Sequence, residues 1–230
     1  MNRGLEKIYS EIPERYEIAN HVLTLGLDRL WRRRAARIAV EGSGTRWIDL
    51  CSGTGEMAAL LKRLAGSDCK VFAADFSMPM LSRARSKRET SEILFALSEI
   101  DALPFPDGCF DLATVSFATR NIDRGGETLV HAFREIFRVL RPGGRFVNLE
   151  TSRPRNPFVR TLFHSYVRLF VRPIGGAITG SEAGYAYLSS SILRFYSRDQ
   201  LSEILRETGF SEVESIPLFF GAAAVHTAVR

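Results

Sequence analysis

The sequence of 230 residues contains no run of about 20 apolar residues, so it predicts no transmembrane helix. Its first ten residues include Glu6 and have no apolar core, which argues against a secretory signal peptide. Only three cysteines are present, and their spacing is not that of a metal site, so we expect a reduced protein without a bound metal. The expected location is the cytoplasm, with the inner face of the cell membrane as an alternative.

Lysine is also scarce, because it occurs at only four positions, and arginine supplies most of the positive charge. The formal net charge of +5 is compatible with binding to an anionic partner. It is equally compatible with a charge that only keeps the protein soluble. The sequence has neither an added RNA-binding domain nor the Asn/Asp-Pro-Pro-Tyr motif of amino methylation. We therefore expect no nucleic-acid partner.

Apolar segments of strand length alternate with segments of helical periodicity along most of the chain. The strand candidates are Trp47–Leu50, Val71–Asp75, Ile93–Leu97, Phe110–Phe117, Arg145–Leu149, Glu212–Ile216 and Ala222–Val229, and helices are expected over Glu56–Leu64, Pro79–Arg88, Glu127–Leu140 and Asp199–Thr208. This alternation is typical of a parallel α/β sheet. We expect one domain over residues 1–230, with an N-terminal helical cap in residues 1–44 and a helical insertion near residues 153–196.

The turn Gly53-Thr54-Gly55 follows the first strand candidate, and Asp75 ends the second. Glycine lets the backbone approach a ligand closely, and an acid at the end of the second strand is placed to bind ribose hydroxyls. The third glycine of a dinucleotide motif is replaced by Ala58, and Glu56 stands where a pyrophosphate favours positive charge. The loop therefore favours a positively charged sulfonium nucleotide, S-adenosylmethionine (SAM), over a pyrophosphate.

Further motifs resemble those of class I SAM-dependent methyltransferases: Leu103-Pro104-Phe105-Pro106-Asp107, Phe110-Asp111 and Arg138-Val139-Leu140-Arg141-Pro142-Gly143-Gly144. More specific segments are similar to the menaquinone/ubiquinone-biosynthesis C-methyltransferases of the UbiE/MenG type: Arg15–Asn20, Gly26–Arg33, Ser116–Asn121, Leu149–Ser152 and Phe220–His226. The resemblance implies a Rossmann-like α/β domain with a mostly parallel seven-stranded sheet and helices on both faces. It also implies SAM as the cofactor.

We predict a cofactor site from residues that end the strands or follow them, namely Asp49, Gly53, Thr54, Gly55, Asp75, Phe76, Glu99, Ile100 and Ser116. Asp49 is placed to accept from a ligand ammonium. The resemblance implies adenine contacts from Glu99 and Ile100, with Asp101 as an alternative to Glu99 after a small shift in register.

The resemblance also implies C-methylation of a prenylated quinol, with demethylmenaquinol as the main candidate substrate. Arg120 and Asn121 are the candidate catalytic residues, because they follow the fourth strand and are placed to hold or polarise a phenolate oxygen. Tyr16, Asn20 and Glu150 are candidate substrate contacts. No general base is identified from the sequence.

Several positions depart from the family pattern. Asp28 stands where the family usually has His, and Ala118-Thr119 replaces the usual Gly-Leu. These departures favour another small molecule as an alternative substrate. A benzoquinol of the ubiquinone pathway is a further alternative, because the family that the chain resembles acts on both head groups. A SAM-binding module without catalysis is a third alternative, and the intact Arg120-Asn121 pair argues against it.

Residues 153–173 combine arginines with an aromatic and apolar stripe. A basic helix of this composition can lie on an anionic bilayer, where a prenylated quinol resides. Packing of the same helix on the sheet is the alternative. The oligomeric state is left open, with a homodimer as one alternative.

Overall fold

The computed structural model describes residues 13–123 and 127–230, apart from the side chains of residues 13, 14 and 16. Seven strands form one sheet: β1 (Arg46–Leu50), β2 (Lys70–Asp75), β3 (Leu94–Leu97), β4 (Phe110–Ser116), β5 (Leu140–Thr151), β6 (Ser211–Leu218) and β7 (Ala223–Val229). Their order is β3-β2-β1-β4-β5-β7-β6, and β7 pairs antiparallel with both of its neighbours. The predicted mostly parallel seven-stranded sheet is confirmed.

Ten helices accompany the strands in the described ranges: α1 (Pro13–Leu23), α2 (Leu27–Val40), α3 (Glu56–Leu64), α4 (Met78–Arg85), α5 (Thr119–Ile122), α6 (Glu127–Val139), α7 (Pro157–Tyr166), α8 (Arg172–Thr179), α9 (Glu182–Arg194) and α10 (Arg198–Glu207). Short 3-10 helices cover Arg88–Thr90 and Phe219–Gly221, and a π-helical turn covers Val167–Val171. Within these ranges no helix is both long enough and apolar enough to cross a bilayer.

Two apolar clusters cover the two faces of the sheet. On one face, Ala36 of α2 and Leu61 of α3 pack with Trp47 and Val71. On the other face, Phe133 of α6 belongs to the cluster that also contains buried residues of α10. The central strands are therefore buried on both sides, as the near-continuous apolar sequence of Phe110–Phe117 predicts for β4.

A third apolar cluster lies outside the sheet and joins α1 to the helices that follow β5. Ala19 and Leu23 of α1 pack with Val167, Val171 and Tyr185. The Tyr185 ring lies where any side chain at position 175 would stand, so this packing requires the Gly175 of the sequence. The cap and the insertion thus share one apolar core. The boundaries predicted for them as parts of a single domain stay predictions.

The end of α6 differs from the sequence prediction. The helix ends at Val139, and β5 already begins at Leu140, before the turn Arg141–Gly144. The strand begins early because Leu140 pairs with Phe110 of β4. The turn is then held by Arg230, whose amide donates to the Gly144 carbonyl and whose carbonyl accepts from the Gly143 amide. A contact between positions so far apart in the chain leaves no local signal in the sequence.

Candidate functional site

Two adjoining cavities open where the strands β1, β2 and β4 end. The first, the glycine-loop cavity, has a volume of about 130 Å³ and lies against the loops that follow these strands. The second, the apolar cavity, has a volume of about 530 Å³ and lies between α1, α2, α7 and α9. Arg32 and Phe117 line both cavities, so they form the wall at which the two meet.

Most of the predicted cofactor residues line the glycine-loop cavity: Gly53, Thr54, Asp75, Phe76, Glu99, Ile100 and Ser116. Asp101, the alternative to Glu99, lines it as well. They converge because parallel strands present their carboxyl ends at one edge of the sheet.

Asp75 fixes the shape of the glycine turn. Its Oδ2 accepts a hydrogen bond from the Gly53 amide at 2.8 Å, and its Oδ1 accepts from the Ser77 amide at 2.8 Å. Burial raises the pKa of Asp75, and the two amide donors offset part of that shift. Each carboxylate oxygen can accept more than one hydrogen bond, so Asp75 can hold the loop and still bind a pair of ribose hydroxyls.

The cavity also contains polar groups that a ligand would satisfy. The Oγ atoms of Ser52 and Ser98 are buried, and neither has a hydrogen-bond partner among the described residues. Apolar walls stand beside them, formed by Met80, Ile100 and Leu103. Two orphaned hydroxyls, the Asp75 carboxylate and an apolar slot fit the adenosine part of SAM.

Asp49 and Gly55 do not line the cavity. Asp49 is buried below the loop, where its Oδ1 accepts from the Thr114 hydroxyl at 2.8 Å. Burial raises the pKa of Asp49 to about 7. Gly55 is the N-cap residue before α3 and has a φ of 78°, and a Cβ there would stand 3.2 Å from that of Ala84. Direct cofactor contacts by these two residues stay predictions.

Arg120 and Asn121 are neighbours in α5, yet they line different cavities: Asn121 the glycine-loop cavity and Arg120 the apolar cavity. The Arg120 guanidinium donates to Glu150 Oε1 at 2.6 Å and to the Phe117 carbonyl at 2.9 Å. The amide and hydroxyl of Thr151 donate to the same oxygen of Glu150. Glu150 therefore lies in a buried ion pair and lines neither cavity.

The apolar cavity is walled mainly by hydrocarbon side chains of α1, α2, α7 and α9, including Leu23, Trp31, Leu162, Phe163 and Ile192. Asn20, a candidate substrate contact, lines it, and its contact with substrate stays a prediction; the side chain of Tyr16 lies outside the described part of the chain. Leu25 and Phe220, which are 81% and 80% exposed, stand at its rim. The cavity can thus hold a long apolar ligand that extends to the surface.

Sequence reasoning assigned no role to Arg32, which links the two cavities. Its Nη1 donates to Asp28 Oδ2 at 2.8 Å, and its Nη2 lies 3.2 Å from Glu56 Oε2. The i,i+4 spacing of Asp28 and Arg32 is a local signal for the first contact. The contact with Glu56 joins two separate helices and has no such signal. In the described ranges no three His, Cys, Asp or Glu side chains are grouped to hold a metal ion.

Similarity to known proteins agrees with this geometry. The model of the ubiE/COQ5 methyltransferase family matches residues 2–230. A demethylmenaquinone methyltransferase of Thermus thermophilus is 39% identical over 97% of this chain and 100% of its own length. A UbiE ubiquinone/menaquinone biosynthesis C-methyltransferase of Desulfotalea psychrophila is 34% identical over 99% of this chain and 90% of its own.

Solved structures share the fold at lower identity. A SAM-dependent methyltransferase from Thermotoga maritima superposes with a TM-score of 0.61 at 19% identity, over 93% of this chain and 96% of that one. A SAM-dependent methyltransferase from Aquifex aeolicus superposes with a TM-score of 0.57 at 17% identity, over 81% of this chain and 82% of that one. The chain, with its Asp75 and glycine loop at the expected edge of the sheet, belongs to the ubiE/COQ5 methyltransferase family and is a methyltransferase with SAM as its cofactor.

Proposed function

We propose that this enzyme methylates a ring carbon of a prenylated quinol, and that the main substrate is demethylmenaquinol, which becomes menaquinol. The observation that carries the proposal is the apolar cavity of about 530 Å³ that shares a wall with the glycine-loop cavity. A prenylated ring fits there with its head group near Arg32 and Phe117 and its tail directed to the exposed rim. The names of the Thermus thermophilus relative and of a Deinococcus radiodurans relative, 35% identical, support the same head group.

The bound cofactor supplies an electrophilic methyl group on sulfur. The protein has to orient the ring carbon and keep water away. Alignment of the reacting atoms contributes much of the rate, and charge neutralisation between a phenolate and a sulfonium is favoured in a dry cavity. The hydrocarbon side chains Trp31, Phe117 and Phe163 supply the dry walls.

We further propose that Arg120 and Asn121 hold the phenolate oxygen, directly or through water. Arg120 lines the substrate side and Asn121 the cofactor side, so together they span the place where the methyl group crosses. Glu150 keeps the guanidinium in position through its 2.6 Å contact. A guanidinium stays charged at all working pH values, so it stabilises developing negative charge without a proton transfer of its own.

A benzoquinol of the ubiquinone pathway is the second candidate. The Desulfotalea psychrophila relative carries both quinones in its name. The departures at Asp28 and Ala118-Thr119 keep a third candidate, another small molecule, in consideration. The head group is therefore the main question for experiment.

The proposal is tested with purified enzyme, SAM carrying a labelled methyl group, and two reduced acceptors of equal prenyl length, demethylmenaquinol and the corresponding demethylated benzoquinol. We expect label in the naphthoquinol. Label only in the benzoquinol would replace the main substrate by the second candidate. Mass spectrometry of quinones from cells lacking the protein is the matching test in vivo, with accumulation of the demethyl species as the expected result.

We also propose that the enzyme docks on an anionic bilayer through an insertion face formed by Phe158, Leu162, Leu169 and Phe170. These side chains are 71%, 57%, 64% and 45% exposed, and Leu162 also lines the apolar cavity. The basic residues Arg160 and Arg168 accompany them on the same segment. A substrate dissolved in the bilayer would then have a short path to the cavity.

A further inference from the structure

Asp28 places a carboxylate in the wall of the apolar cavity, beside Arg32, at which the two cavities meet. The residue is 2% exposed to solvent and lines the apolar cavity. Its Oδ2 accepts a hydrogen bond from Arg32, which lines both cavities, at 2.8 Å. The proposed position of the substrate head group near Arg32 therefore lies beside this carboxylate.

No other described residue that lines the apolar cavity is suited to take a proton. The lining includes no second carboxylate, no histidine and no cysteine. Arg120 cannot deprotonate at working pH. The Tyr166 hydroxyl already donates to the Leu23 carbonyl at 2.7 Å, and burial raises its pKa. Asp28 is thus the candidate proton acceptor within the cavity.

His21 connects Asp28 to the protein surface. Its Nδ1 lies 2.7 Å from Asp28 Oδ1, and its side chain is 23% exposed, whereas that of Asp28 is 2% exposed. The Thr24 hydroxyl donates to the same oxygen of Asp28 at 2.9 Å and fixes its orientation. The charged groups that face this pair are Arg32 and, through Arg32, Glu56.

We propose that Asp28 is the catalytic base for the quinol hydroxyl and that His21 carries the released proton to solvent. The inference rests on the proposed function. Methylation of a quinol ring replaces one ring C–H by C–CH₃ and releases one net proton. That proton has to leave an otherwise dry cavity, and the Asp28–His21 pair is the path that the described residues provide.

The quinol hydroxyl proton passes to the Asp28 carboxylate while the O–H electron pair moves toward the ring and the ring carbon bonds to the methyl group, whose former bonding pair stays on sulfur. The Asp28 carboxyl group passes this proton to His21 Nδ1, in the tautomer that carries its hydrogen on Nε2. The imidazolium then releases a proton to water from Nε2, and exchange with water restores that tautomer. The ring carbon then gives its own proton to Asp28, and the ring oxygen takes it back as aromaticity returns.

The experiment compares Asp28→Asn, Asp28→Glu and wild type on the quinol that wild type methylates. We expect Asp28→Asn to lower kcat by about 10²–10⁴-fold, the usual contribution of a general base. Asp28→Glu keeps a carboxylate and should retain more activity than Asp28→Asn.

Binding readouts separate the base from a merely structural role. SAM affinity by calorimetry should change by less than about threefold in Asp28→Asn, and quinone binding should still quench the fluorescence of Trp31, which lines the same cavity. If Asp28→Asn binds both ligands and keeps full kcat, the inference is overturned. If wild type methylates no quinol, the proposed function fails first and the inference with it.

His21→Ala tests the second half of the path. We expect it to lower kcat and expect added imidazole in solution to restore part of the loss, because the replaced ring is open to solvent. His131→Ala is the matched control, since His131 lies on α6 with its Nε2 3.1 Å from the Asp101 carbonyl, away from the pair. Full activity in His21→Ala, without any response to imidazole, would remove His21 from the path.

Discussion

The guanidinium of Arg32 stacks on the ring of Phe117, with its central carbon 5.0 Å from the ring centroid. The two residues are 85 positions apart in the chain, one on α2 and one after β4. Phe117 adopts a φ of 56°, which turns its ring toward the cavities at the cost of an unfavourable backbone conformation for a bulky residue. This contact forms the wall between the two cavities.

Arg32→Lys should lower kcat/KM by about 10–100-fold, because a lysine ammonium cannot bridge Asp28 and Glu56 and stack on Phe117 at once. Steady-state kinetics with SAM and the quinol measure the effect. Arg33→Lys is the matched control, because Arg33 is the exposed neighbour on the same helix. Equal losses of kcat/KM in both variants would show that the contacts of Arg32 do not contribute specifically to catalysis.

Asp75→Asn should weaken SAM binding by about 10–100-fold, as expected for loss of a charged hydrogen-bond acceptor. The amide would also place a donor against the Gly53 or Ser77 amide and disturb the loop. Calorimetric titration with SAM measures the change. Asp68→Asn, at an exposed position before β2, should bind like wild type. An unchanged affinity in Asp75→Asn would contradict the predicted ribose contact.

Asp49 should make stability depend on pH. Its pKa rises from 3.8 to about 7 in the folded protein because burial disfavours the charged form. The unfolded chain therefore loses this proton first, and the free energy of unfolding falls as pH rises from about 4 to about 7. A shift of roughly three pKa units corresponds to an upper bound of about 4 kcal/mol.

Urea unfolding of wild type and Asp49→Asn at several pH values tests this slope. The asparagine does not titrate, so its stability curve should be flatter across the same range. Two parallel curves would show that Asp49 contributes nothing to the pH dependence.

Arg120→Ala should destabilise the protein by about 3–5 kcal/mol, because it leaves the Glu150 carboxylate buried without its ion-pair partner. The double variant Arg120→Met with Glu150→Gln removes both charges and should recover much of that stability. Its activity should stay low if Arg120 binds the phenolate. Recovery of both stability and full activity would restrict Arg120 to a structural role.

Phe158→Ser combined with Leu162→Ser should reduce co-sedimentation with vesicles that contain anionic lipid, because the two changes remove apolar area from the insertion face. Wild type should bind such vesicles and bind neutral vesicles less. Leu94→Ser is the matched control, because Leu94 is an exposed apolar residue on the edge strand β3. No wild-type binding to either vesicle would contradict docking.

Local sequence patterns specify the sheet and bring most of the candidate cofactor residues together. Alternating apolar segments predict parallel strands, and parallel strands bring the Gly53 turn, Asp75 and Glu99 to one edge whatever the rest of the chain does. Those signals are local, because each depends on residues within one strand and the loop after it. Asp49 has the same local signal, yet its buried position below the loop depends on Thr114 of another strand.

The arrangement of residues around the apolar cavity depends on contacts between distant parts of the chain. The neighbours Arg120 and Asn121 line different cavities because a helix turns by about 100° per residue, and only packing fixes where that turn points. The contacts of Arg32 with Phe117 and Glu56 join elements whose relative placement comes from the apolar clusters on and beside the sheet. The hydrophobic effect that drives this packing is non-directional, and its free energy comes from many residues together. No short sequence motif therefore encodes the resulting contacts.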